Sequence, residues 1–84
     1  MTDNELATVV ANNIWQTRET RGMTVPQLAR AAGISKAYLY EVEYARANVS
    51  LRVACAIAQA LHTTVDALTS DENDYPRPDS DGAL

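Results

Sequence analysis

Between positions 2 and 70 the apolar residues recur at steps of three and four, not two, which is the period of helices rather than strands. Leu6, Val10, Ile14 and Thr17 fall on one face of a first helix. That helix starts near Thr2 or Asp3, because Thr2 and Glu5 have capping-box spacing. It ends at Gly22, after the cation Arg21. Thr24 and Gln27 repeat the capping-box spacing ahead of a second helix carrying Leu28, Ala29 and Ala32 inward. Pro26 is tolerated in that first turn, where N–H groups lack intrahelical partners, and Gly33 stops the helix. Ile34 is a hydrophobic step to a third helix, capped by Ser35, with Leu39 and Val42 inward. A loop without glycine or proline, Glu43 to Val49, leads to a fourth helix. Ser50 caps it, and Leu51, Ala54, Ile57, Ala58 and Leu61 form its inward stripe. His62 suits a left-handed helix end, and Thr64 caps a last short helix with Val65 and Leu68 inward. The pattern predicts an all-α chain of five helices.

Charge divides this chain in two. The formal net charge of -4 over 84 residues argues against a nucleic-acid partner until its location is considered. Residues 71–84 carry Asp71, Glu72, Asp74, Asp79 and Asp81 against Arg77, which accounts for all of the excess. In residues 1–70, Arg18, Arg21, Arg30, Lys36, Arg46 and Arg52 balance Asp3, Glu5, Glu19, Glu41, Glu43 and Asp66. We therefore expect one helical domain over residues 1–70 and a disordered acidic tail over 71–84, too poor in apolar residues to offset ordering entropy. A neutral body is a weak electrostatic footprint for DNA.

Little points to an enzyme. Cys55, the single cysteine, excludes an intramolecular disulfide and reads as a small packing residue on or beside the fourth stripe,. One histidine does not make a metal site, and no cofactor is expected. No apolar run approaches membrane length and no signal peptide is apparent, so the expected location is the cytoplasm. Trp15 falls just outside the first inward stripe, as a partly packed surface residue.

The stretch Thr24–Val42 has the layout of a helix-turn-helix, with Ala29 small enough for a close helix crossing. The second helix of such a pair can enter a DNA major groove. An αα-corner without that role has the same local pattern.

The whole set from about Val10 to Leu68 resembles the Cro and phage-repressor type of DNA-binding domain, the XRE family. The resemblance rests on Ile14 with Arg18, Gly22-Met23-Thr24, Leu28-Ala29, Gly33-Ile34-Ser35, Leu39, Val42-Glu43, Leu51, Ala58, Leu61 and Val65 through Leu68. It implies a five-helix lambda-repressor-like fold with the helix-turn-helix at helices 2 and 3. It implies an internal ion pair between Arg18 and Glu43, and base contacts by Lys36, Ala37, Tyr40 and Glu41. Lys36 suits guanine acceptors and Ala37 a thymine methyl. Arg46 and Asn48 match the loop that touches phosphate, and Thr24, Gln27, Ser35 and Tyr38 are further expected DNA-backbone contacts, which place the protein without reading sequence. Three departures stand out. Val25 replaces a Gln common at the start of helix 2. Ala45 and Val49 replace a glycine and a proline after helix 3, so another loop path is expected. Tyr38, Tyr40 and Tyr44 make helix 3 unusually aromatic, which fits either amphipathic surface residues or phosphate and partner contacts.

The resulting expectation is a sequence-specific DNA-binding transcriptional regulator: a small homodimeric repressor acting on a double-stranded operator. Its dimer interface is expected near helix 5, at Val65 and Leu68. No separate ligand or self-cleavage domain is expected. The alternative is a protein-binding module of the same fold, antitoxin-like or a co-regulator partner. An enzyme is not expected.

Overall fold

The computed structural model describes residues 1–71, and the disorder expected over 71–84 lies, from residue 72 on, outside the described residues. The five helices are α1 (Asp3–Thr20), α2 (Val25–Ala32), α3 (Lys36–Glu43), α4 (Leu51–Ala60) and α5 (Val65–Thr69). Each begins at the side-chain oxygen read as its cap. The Oγ1 of Thr2 accepts from the Glu5 N–H at 3.1 Å while the Glu5 carboxylate accepts from the Thr2 N–H at 2.9 Å. That backbone hydrogen bond holds the Glu5 carboxyl below its ordinary pKa,. Thr24 and Gln27 repeat the box at 2.8 and 3.2 Å. Ser35, Ser50 and Thr64 accept from Tyr38, Val53 and Ala67.

Four helices end alike. The N–H of Met23 reaches the Arg18 carbonyl, Ile34 reaches Ala29, Arg46 reaches Glu41 and Thr63 reaches Ala58, all within 2.8–3.0 Å. Each is the long hydrogen bond of a Schellman motif, which needs the preceding residue in the left-handed region. Gly22 and Gly33 take that conformation at φ 69° and 73°, and Ala45 and His62 take it at 59° and 56°. Ala45 thus corrects the expectation of a different path. The end of α3 closes as a glycine would close it, at a cost of about 1–2 kcal/mol in backbone strain.

The core forms where α1, α3 and α5 meet the α2–α4 pair. Ile14, Leu28, Leu39, Ile57, Leu61 and Leu68 are fully buried there, with Val10, Val25, Ala29, Val42 and Ala58 around them. Val25, which replaces the Gln common at the start of helix 2, belongs to this core. Some expected inward residues do not. Leu51 is 73% and Leu6 41% exposed, because the first turns of α4 and α1 rim an open groove instead of packing under a neighbour. Cys55 also faces solvent, since Ala54 and Ala58 take the inward positions beside it. Thr17 is only half-buried, and Arg18 goes inward in its place.

A buried polar group was not foreseen. Asn13 is 4% exposed, and its Nδ2 donates to the carbonyls of Leu68 (2.9 Å) and Ser70 (2.8 Å). Those acceptors close α5, whose five residues are too few for a helix to hold alone,. Asn13 and Leu68 together pin α5 to α1.

Candidate nucleic-acid interface

The surface of α3 follows from how its inner side is held. Leu39, Val42 and Glu43 are buried. Helical geometry then sends Lys36, Ala37, Tyr40 and Glu41, at steps of one, four and five, to the opposite face, where all four are exposed,. Tyr40 is 44% exposed. Packing of α2 against α3 sets the pose of this face, and an ion pair at the other end locks it.

That pair joins α1 to the last turn of α3. Arg18 Nε donates to Glu43 Oε2 at 2.7 Å and Nη2 donates to Oε1 at 3.0 Å, a two-pronged contact,. Arg18 Nη1 also donates to the Met23 carbonyl at 2.9 Å, tying in the turn before α2. Glu19 lies 3.5 Å away. Burial disfavours the guanidinium charge, but the hydrogen bonds and charge of Glu43 outweigh it, so the Arg18 pKa shifts upward,. The pair is 7% and 2% exposed, so it fixes geometry where mobile surface charges would not.

Around the outward face sit the groups matched to the DNA backbone. Thr24, Gln27 and Ser35 are exposed, and each already accepts a cap hydrogen bond through oxygen. Their hydroxyl protons and the Gln27 Nε2 hydrogens are donors suited to phosphate oxygens. Tyr38 is half-buried, and its hydroxyl donates to the Asn48 carbonyl at 3.4 Å, a long contact that braces the loop. Asn48 and Arg46 are exposed. Arg46 reaches back to the helix: its Nη1 is 3.4 Å from Glu41 Oε2, and its guanidinium lies 5.4 Å from the centre of the Tyr44 ring. The structure thus gathers Lys36, Ala37, Tyr40, Glu41 and Arg46 on one surface. Leu68 is set apart from its expected place in an interface, since at 1% exposure it is core. Val65 is half-buried beside it.

Comparison with known proteins bears on the family and the fold. A family described as "Helix-turn-helix domain" matches residues 15–70. The immunity repressor protein of Bacillus phage phi105 is 38% identical over 63 residues, covering 75% of this chain and 44% of the repressor. Among solved structures, an HTH_3 family transcriptional regulator from Vibrio cholerae superimposes with a TM-score of 0.79 at 27% identity, over 87% of this chain and 40% of that one. The restriction-modification controller protein C.AhdI from Aeromonas hydrophila superimposes with a TM-score of 0.72 at 26% identity, over 74% of this chain and 94% of that one. The chain spans less than half the length of the phage repressor and of the Vibrio cholerae regulator. No helix among the described residues is long and apolar enough to cross a membrane. The chain belongs to the helix-turn-helix domain family of Cro and phage-repressor (XRE) type, with α2 and α3 as its helix-turn-helix.

Proposed function

We propose that this protein is a sequence-specific DNA-binding transcriptional regulator, a small repressor that reads a double-stranded operator in the cytoplasm. The observation that carries this reading is the outward face of α3, with a cation, a methyl group and a phenol held on a helix whose other side is locked into the core. In the major groove Lys36 donates to guanine acceptors, Ala37 packs on a thymine methyl, and Tyr40 offers hydroxyl or ring. Thr24, Gln27, Ser35, Tyr38, Arg46 and Asn48 face the backbone. Two relatives named as a repressor and a transcriptional regulator support the reading.

Lys36→Ala and Tyr40→Ala should each weaken binding to a site selected from random DNA by about 1–3 kcal/mol. Both side chains are exposed, so folding stability should hardly change. Wild-type affinity in both variants at fixed salt would remove these residues from the interface. A second reading, a protein-binding module using the same face, is supported by the exposed rings of Tyr40 and Tyr44,. Salt separates the two, because phosphate neutralisation gives steep salt dependence and a protein partner does not.

The regulator acts as a homodimer in this reading, since one recognition helix spans few base pairs and two-fold partners sit about 34 Å apart on DNA. Since Leu68 is buried, the reading puts the interface at the groove that Leu68 floors. Leu6 and Leu51 rim that groove, Val49 and Val65 line it, and the loop after α3 forms one side. Leu51→Asp should convert dimer to monomer in sedimentation while leaving the helical signal intact. A wild-type protein that stays monomeric both at high concentration and on a full operator removes the dimer from the proposal.

A further inference from the structure

Glu41 and Arg46 lie five residues apart, a separation that does not stack on a regular helix. They meet because Ala45 turns the chain back. Its left-handed backbone lets the Arg46 N–H donate to the Glu41 carbonyl at 2.8 Å, which returns the Arg46 side chain over the last turn of α3. There the guanidinium sits 3.4 Å from the Glu41 carboxylate and against the Tyr44 ring. Arg46 is 65% and Glu41 49% exposed at the side chain, so both remain reachable from solvent. A carboxylate beside a guanidinium offers the negative charge and acceptor oxygen that a phosphate would.

We infer that Glu41 is an internal phosphate mimic: it holds Arg46 on the recognition helix in the free protein and must release it for DNA, which lowers affinity for any duplex. This rests on the DNA-binding reading and changes the role of Glu41 from reading a base to tuning a backbone contact. The strained Ala45 turn supplies the position, and Tyr44 supplies a second hold on the guanidinium. Sequence discrimination stays with Lys36, Ala37 and Tyr40.

The test is a cycle of Glu41→Gln, Arg46→Gln and the double variant, titrated on a random-sequence duplex and on a selected site at two salt concentrations. Glu41→Gln should tighten binding to both duplexes by roughly two- to fivefold at low salt, the scale of an exposed ion pair. Arg46→Gln should flatten the log-log salt slope by up to about 0.9, one lost phosphate contact. Arg46→Gln should weaken binding, and in that background Glu41→Gln should add nothing. An equal gain in both backgrounds would mean that Glu41 merely repels DNA, and overturns the inference. So does an Arg46→Gln variant that binds like wild type. A Glu41→Gln loss confined to the selected site would return Glu41 to base reading. Wild-type protein that binds no duplex removes the functional reading itself, an outcome distinct from any change within the cycle.

Discussion

Replacing Arg18 with methionine, or Glu43 with leucine, should each destabilise the protein by about 3–5 kcal/mol in urea unfolding. Each change strands a charge: Glu43 is 2% exposed and Arg18 7%, so water cannot take the place of the lost partner. For a small domain with total stability of about 5–15 kcal/mol, that is a large share. The double replacement should cost much less than the sum of the two, because no isolated charge remains buried. It should still cost something, since the Met23 carbonyl loses its donor,. Additive single effects would show that the two side chains act independently. The pair also anchors the last turn of α3, so the double variant, though folded, should discriminate operator from random DNA less sharply.

Asn13→Asp should be nearly as damaging at neutral pH, about 3 kcal/mol or more. The amide donates two hydrogen bonds to the carbonyls of Leu68 and Ser70, whereas a carboxylate can donate none. It would set a buried charge against two carbonyl oxygens, in a cleft that Asp71 also lines. The introduced carboxyl is therefore expected to titrate higher in the folded than in the unfolded chain. Between those two values the folded state binds the extra proton, so stability falls as pH rises and recovers as pH drops toward the unfolded value near 4. A protonated acid restores one donor. Asn13→Ala, which removes the donors without adding charge, should lose about 2 kcal/mol with no such pH dependence. Thermal melts of both variants from pH 4 to pH 7 decide the matter. An Asn13→Asp protein as stable as wild type at pH 7, or one whose deficit ignores pH, would show that Asn13 does not clasp α5.

The candidate site was only partly readable beforehand. Composition gave no hint of it, with residues 1–70 neutral and the excess charge in residues 71–84. Residue spacing placed α3 and its outward face, while the roles of Lys36, Ala37, Tyr40 and Arg18 with Glu43 came from the family resemblance. The contact of Arg46 with Glu41 was not legible, because it depends on an alanine adopting a backbone that glycine usually takes. A non-glycine residue at the end of a helix gives no sign of that by itself.

The amino-acid order by itself determined the five helices and where they start and stop. Caps are local chemistry: Thr2, Thr24, Ser35, Ser50 and Thr64 each satisfy an N–H three residues on. Gly22, Gly33 and His62 likewise mark turns that depend on one residue's backbone freedom. Periodicity also named the face each helix buries. It did not say which turns of that face are covered, and the tertiary structure alone decided that Leu6 and Leu51 rim a groove while Asn13 goes inside; the internal place of Arg18 came from the family resemblance and not from periodicity. Burial and buried polar pairing are set by what arrives from elsewhere in the chain: Glu43 comes to Arg18 across 25 residues and Leu68 to Asn13 across 55. No local pattern carries that information.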